Sequence, residues 1–284
     1  MKKFFTAVIA LMMTISVSAQ FYIYLSNGEV LQADSISLIG PISGTLSGTF
    51  SVSETKKVHF SQGNLQYVGT SWRFAEHQWD TFGESQSDNH RDLFGWGTGN
   101  NPNNVSTDYN DYAIFDEWGD NLITNGGNTA KKWRTLTMDE WGYLFFTRTD
   151  AATLFGFGSV NDVNGIILLP DNWALPAGAS FIASTMQGLI DEGGNFYNPN
   201  DDNFSHNTYT PAQWEVMESA GAVFLPAAGY RIGTEVREMN SSGYYWSSTP
   251  CYQLDAYILD FRSFNLYPQD RSARECARSA RLVR

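Results

Sequence analysis

Apolar residues in this chain recur in distinct patterns, and each pattern predicts an element. Phe4 to Ile15 form an almost unbroken apolar run behind Lys2 and Lys3, closing on Val17-Ser18-Ala19 before Gln20. A charged start, an apolar stretch too short to span a bilayer comfortably and a small-residue cleavage site predict a secretory signal over residues 1–19. Phe21-Tyr-Ile-Tyr-Leu25, a turn at Asn27-Gly28 and Glu29-Val-Leu-Gln32 predict a hairpin within a lead segment, 20–48. The Gly/Ser/Thr-rich stretch from Gly40 to Ser53 reads as a linker or an extended strand. Further strands are predicted over Val58–Tyr67 and Ser71–Phe74, and later over Ala222–Pro226, Tyr244–Ser248, Ala256–Arg262 and Ala280–Val283.

Two helices announce themselves by their first turns. Thr137-Met-Asp-Glu140 is a capping box ahead of Trp141, Leu144 and Phe145. Thr210-Pro-Ala-Gln213 repeats the arrangement, with Pro211 at the first helical position and Trp214, Met217 and Ala220 following. Long Gly/Asn/Asp-rich segments, Asp88–Gly127 and Asp191–Asn207, separate these elements. The expected fold is α+β, with antiparallel strands, two helices and long ordered loops in one domain over 49–284.

Charge changes the picture of partners. The 284-residue chain carries a net charge of −12. Removing Lys2 and Lys3 with the leader leaves 16 basic against 30 acidic residues, or −14. Such a chain has no electrostatic reason to bind phosphate backbones, so nucleic acid is not an expected partner. No stretch after the leader is long and apolar enough for a membrane span, so an exported protein, secreted or held at the cell surface by an anchoring partner, is expected. Six arginines at 262, 271, 274, 278, 281 and 284 face only Asp270 and Glu275 in the final segment. They form either a basic face suited to an acidic ligand or partners for carboxylates. Cys251 and Cys276 are the two cysteines. Export permits a disulfide between them, and two free thiols at exposed surface positions are the alternative.

Catalytic signals are sparse. The chain has no Gly-x-Ser-x-Gly elbow and no His-Glu-x-x-His helix, and His59, His77, His90 and His206 are scattered. His59 falls in a strand pattern and reads as structural. Asp191, Glu192, Asp201 and Asp202, with Asn195, Asn198 and Asn203, supply hard oxygens in a Gly-containing loop. That set gives a weak calcium candidate, for a structural ion at most, against the simpler reading of a solvated acidic loop. Asp108 to Asp120, with Tyr112, Phe115 and Trp118, reads as a packed structural loop. No other cofactor is expected.

The tract from Gly243 to Arg284 carries most information. Regular aromatic and apolar residues alternate there with an assortment that includes Tyr252, Leu254, Asp255, Asp260, Arg262, Phe264, Asn265, Tyr267 and Arg271. A fixed frame presenting miscellaneous large side chains is how a recognition surface is built. Those nine residues are the expected contacts to a protein or glycan ligand. Trp246 could stack on a sugar, but its place in a strand ahead of Ser-Ser-Thr assigns it to the core.

Four blocks in order, Trp133–Trp141, Val223–Arg231, Gly243–Thr249 and Ser279–Val283, resemble secreted proteins of Bacteroidetes type with a C-type-lectin-like fold. That fold is shared with formylglycine-generating enzymes. The resemblance covers roughly residues 50–284, and 243–284 is similar to the variable proteins of diversity-generating retroelements. It implies a non-catalytic, adhesion-type binder whose C-terminal segment is rewritten at template adenines. On that reading Trp246, Ser247, Ser248, Ala256, Tyr257, Leu259, Phe261, Pro268, Arg274, Ser279 and Arg281 are frame. Ile258 and Asp270 join the contact residues as varied positions. The alternatives are a sulfatase-modifying-factor-like oxidase, although the closely spaced cysteine pair is missing, and a structural subunit of a surface assembly docked through 20–45.

Overall fold

The computed structural model describes residues 44–184, 203–263 and 265–284, together with the strand backbone of Phe21–Tyr24, Val30–Ala33 and Phe196–Tyr197. The chain divides into two compact units, Met1–Gly40 and Pro41–Arg284. In the first, Phe21–Tyr24 pairs antiparallel with Val30–Ala33, with Phe21 opposite Ala33 and Tyr24 opposite Val30, as the hairpin pattern predicts. The proposed signal segment lies outside the described residues. In the second unit Leu46 is buried, and its N–H donates to the Phe60 carbonyl at 2.9 Å.

The second unit is α+β. A C-terminal antiparallel sheet runs in the order Phe196–Tyr197, Asn265–Ala273, Asp255–Arg262, Ser242–Cys251. A central sheet is ordered Thr208–Tyr209, Phe155–Val160, Val163–Leu168, Val223–Pro226, and only Thr208–Tyr209 joins it in parallel. A smaller sheet places Leu65–Val68 between Ser71–Phe74 and His90–Arg91.

The inner strands of the C-terminal sheet are buried on both faces over Ser242–Ser247 and Ile258–Phe261. Tyr245, Leu259, Phe261 and Leu266 pack toward the central sheet, against Phe157, Ile166, Leu225 and the helical residues Trp141 and Phe145. Tyr244, Trp246, Ala256 and Ile258 pack the other way, against Leu65, Phe94, Trp96, Trp118 and Trp133. A sheet covered on both sides reads as a continuous apolar run rather than an alternation, which is why Gly243–Ser247 is buried throughout.

Both capping boxes form. Glu140 N donates to Thr137 Oγ1 at 3.2 Å while Thr137 N donates to Glu140 Oε2 at 3.0 Å. Gln213 N donates to Thr210 Oγ1 at 3.3 Å, and Gln213 Oε1 accepts from Thr210 N at 2.9 Å. The first helix, Met138–Gly142, passes into a wider π turn, Tyr143–Thr147. Buried Arg148 closes it by donating to the carbonyls of Leu144, Leu169 and Leu154 at 2.7, 2.9 and 3.1 Å. The second helix, Pro211–Ser219, lays Trp214 and Met217 against Phe224 and Ile167.

Three elements differ from expectation. Phe155–Val160 and Val163–Leu168 form a hairpin in the middle of the central sheet, turning through Asn161 and Asp162 at φ 51° and 63°. Asn265–Ala273 is a long strand despite Pro268. Pro268 falls where the pairing with Asp255–Arg262 slips in register, between the Asp260–Tyr267 and Ile258–Asp270 pairs, a bulge that tolerates a residue without an N–H. Ala280–Val283, expected as a strand, instead makes single bridges, Val283 pairing with both Phe60 and Arg134.

Candidate functional site

The Trp246-Ser-Ser-Thr block is an anchor. Trp246 is buried, and its indole N–H donates to the Phe94 carbonyl at 2.7 Å. The Trp246 carbonyl accepts from Trp141 Nε1 at 3.3 Å, and the Ser247 carbonyl from Trp96 Nε1 at 3.0 Å. Ser248 N donates to the Leu136 carbonyl at 2.9 Å, and Thr249 Oγ1 accepts from Met138 N at 3.0 Å, at the start of the first helix. Every residue of the block is therefore committed to holding two layers together, and Trp246 is core rather than a sugar platform.

The expected basic face does not exist as such. Arg274, Arg278 and Arg281 are buried, and aromatic rings and carbonyls surround them more than carboxylates do. Arg278 Cζ lies 4.4 Å from the Tyr230 ring centre and 4.2 Å from that of Tyr244, and its Nη2 donates to Ser272 Oγ at 2.8 Å. Arg281 Nη2 donates to Gln78 Oε1 at 2.6 Å, and burial lowers its pKa to about 10. Arg284 lies over Trp133 at 5.5 Å. Guanidinium is planar and weakly hydrated, so stacking costs it less desolvation than it would an ammonium. Only Arg262 and Arg271 of the six are exposed.

Arg274 organises the outer end of the sheet. It stacks on Trp96 at 4.3 Å and donates through Nε to the Asp255 carbonyl at 3.0 Å and through Nη2 to the Tyr252 carbonyl at 3.0 Å. Its Nη1 reaches the Ala113 carbonyl at 3.3 Å. One guanidinium thus pins both ends of the 252–255 turn and ties it to the 108–116 loop. That loop is the packed structure expected: Tyr112 is buried and donates its hydroxyl to the Ser106 carbonyl at 2.8 Å.

On this clamp the turn presents Tyr252, 81% exposed, and Leu254, 45% exposed, with Gln253 between them. Tyr252 has φ 51°, a left-handed value that the clamp holds in place. Half-buried Asp255 and exposed Arg271 flank the turn, Arg271 lying cross-strand from Tyr257. Tyr257 was expected as frame, yet its ring is half-exposed and its phenol pKa is raised, first by a hydrogen bond with the Cys251 thiol. Ile114, 74% exposed, follows Ala113, whose carbonyl Arg274 also holds. Sequence patterning missed it because a lone Ile in a polar loop carries no periodic signal.

The other expected contacts lie elsewhere. Asp255 and Arg262 end the same strand, seven residues and so about 23 Å apart. Near the far end, half-buried Asn265 pairs opposite Arg262, and half-buried Tyr267 opposite Asp260. Asp260 itself is a correction. It is only 4% exposed, and burial pushes its carboxyl up to about 6 against the opposing pull of Arg262. Its Oδ2 receives Arg262 Nη2 at 2.9 Å, so it holds Arg262 rather than meeting a ligand. Ile258, expected to vary at the surface, is core. Phe264 lies outside the described residues.

Both cysteines are free thiols, and Cys251 is buried rather than exposed. Burial raises the pKa of Cys276, the opposite of what an activated thiol needs. His59 is structural as expected, its Nδ1 hydrogen-bonding the Gly48 carbonyl at 2.8 Å. The calcium candidates Asp191, Glu192, Asp201 and Asp202 lie outside the described residues. Among the described residues no group of three or more His, Cys, Asp or Glu side chains could hold a metal, and no helix is long and apolar enough to cross a membrane. No family model, curated protein or solved structure matches this chain.

Proposed function

We propose that this protein is an exported, non-catalytic binder that engages a protein or glycan ligand through the 252–255 turn and its neighbours. The observation that carries the reading is the Arg274 clamp, which rigidifies a turn whose side chains face solvent. Large amphipathic groups held on a rigid support bind with little loss of conformational entropy. Tyr252 and Leu254 supply anchoring area, Arg271 a planar polar contact, and Tyr257 and Ile114 the flanks. The Asp255 carbonyl ties the turn to Arg274, and Asp260 sets the position of Arg262, which with Asn265 and Tyr267 forms a second patch on the same sheet.

The C-type-lectin-like fold fits this reading, since the four sequence blocks that carry the resemblance are the ones that lock the layers together. Diversification of the tract fits Tyr252, Leu254, Asp255 and Arg271 and fits Ile258 and Asp260 poorly, because a varied residue must not be core. An oxidase role through Cys276 is disfavoured by burial, which raises the pKa of that thiol. The reading is tested by printing the mature protein against glycan and bacterial-surface-protein arrays beside a Tyr252→Ala/Leu254→Ala variant. The expected result is a signal that falls at least about tenfold in the variant at unchanged melting temperature. A signal untouched by the double substitution contradicts it.

A further inference from the structure

A cleft of about 530 Å³ opens between the Leu65–Val68/Ser71–Phe74 hairpin and the loop spanning 99–128. Its size falls in the range of about 300–1,000 Å³ typical of small-molecule sites. Its lining is unusual for this chain. Of 284 residues, 48 are Asp, Glu, Lys or Arg, yet none of these and no His faces the cleft. The neighbouring depressions do carry charge: one contains Asp111 and Asp116, another Arg73, Glu76 and Asp80. In place of charge the cleft has three carboxamides, Asn100, Asn121 and Asn128, with the hydroxyls of Thr70, Ser71 and Thr124, and Tyr67 as its aromatic wall.

We propose that this cleft binds a neutral oligosaccharide. Each sugar hydroxyl is both donor and acceptor, and a carboxamide offers both roles from one planar group. Asn100 and Asn128 can serve in both roles with the hydroxyls of Thr70 and Ser71, while Asn121 and Thr124, whose donors are bound within the wall, still accept through Oδ1 and Oγ1, and no charge has to be desolvated. The C–H face of a pyranose ring needs an apolar surface. Tyr67 provides it, half-exposed and braced edge-on by Trp72 at 5.0 Å and 61°, with exposed Leu122 beside it.

The walls are fixed before any ligand arrives. Asn121 Nδ2 donates to the Gly99 and Trp118 carbonyls at 2.9 and 3.2 Å, joining both arms of the loop. Thr124 donates to the Trp72 carbonyl through its N–H at 2.9 Å and its Oγ1 at 3.2 Å. These bonds also argue against a peptide. Ser71–Phe74 is an edge strand, the usual template for an added strand. Its edge is already capped: the Trp72 carbonyl is taken by Thr124, while Phe74 N donates to Asn125 Oδ1 at 2.7 Å and its carbonyl accepts from Asn125 Nδ2 at 2.9 Å. The cleft shares no lining residue with the 252–255 turn, and the ligand proposed for it is separate from that of the turn.

Calorimetric titration of the mature protein with cellotriose, maltotriose, mannotriose, chitotriose and, as a charged control, trigalacturonate tests this. At least one neutral trisaccharide is expected to bind in the micromolar-to-millimolar range, with trigalacturonate weaker. Tyr67→Ala should weaken that binding about tenfold or more, and Asn100→Ala, at an exposed position that leaves the fold undisturbed, by at least about threefold. Tyr252→Ala/Leu254→Ala should leave it unchanged. Absence of binding by all four neutral sugars to about 10 mM overturns the proposal. So does tighter binding of trigalacturonate, or affinity that survives Asn100→Ala.

Discussion

Arg274 shows what single residues contribute here. Its guanidinium spends all three nitrogens on carbonyls, two in the turn and one in the neighbouring loop, while its face covers Trp96. Arg274→Met keeps much of the stem packing but removes the three donors. The expected cost is about 1–3 kcal/mol, with amide exchange in residues 252–255 accelerated well above that in Tyr245 or Leu259. Uniform acceleration across the sheet would show that the arginine serves global stability alone. Asp92 is a second telling residue. It is buried beside Arg231, accepts from Phe82 N at 2.6 Å, and burial pushes its carboxyl up to about 7. Between about pH 4 and pH 7 the folded state therefore binds more protons than the unfolded chain, so this group makes stability fall as pH rises through that window. Asp92→Asn keeps the acceptor and removes the ionisation. It should raise stability at pH 8 by on the order of 2–4 kcal/mol and by little at pH 4. A pH-independent effect, followed by thermal denaturation at both values, would contradict the assignment.

At the scale of elements, the C-terminal sheet depends on close approach. Gly243 pairs across strands with Phe261, and a Cβ there would collide with the Phe261 ring. Gly243→Ala should destabilise by about 2 kcal/mol or more through overpacking, measured as a lowered urea midpoint at unchanged slope. Thr210→Ala, which removes only a cap, should cost about 1 kcal/mol, and a smaller loss for Gly243→Ala than for Thr210→Ala would mean the sheet tolerates separation. Both helices were legible because caps are local chemistry read within four residues. The strands around Trp246 and Leu259 were legible because double-sided burial leaves an unbroken apolar run. The Phe155–Leu168 hairpin was not, since Gly156, Gly158 and Gly165 dilute its apolar pattern and its turn is Asn-Asp rather than Asn-Gly. Glycine is needed at Gly165 because the Leu225 backbone and the Phe224 ring crowd it, a tertiary reason that no local pattern carries. Asn265–Ala273 was hidden by Pro268, whose tolerance depends on the register slip against Asp255–Arg262.

For the whole molecule, an assortment of residues in one tract does not make one surface. The tract supplies a presented turn, a separate patch about 23 Å away, and buried residues such as Ile258 and Asp260 that look variable only in one dimension. The arginine cluster likewise dissolves into interior stacking once the layers close. What the sequence did carry was the contrast between frame and presented residues around Trp246 and Tyr252. The most direct test of that contrast is to sequence codons 240–284 from many independent isolates, together with the flanking DNA. The account predicts replacements concentrated at Tyr252, Leu254, Asp255 and Arg271, with Gly243, Trp246, Ala256, Arg274, Arg278 and Arg281 unchanged. Replacements spread evenly over presented and buried positions, or an invariant turn beside a varying frame, would contradict it.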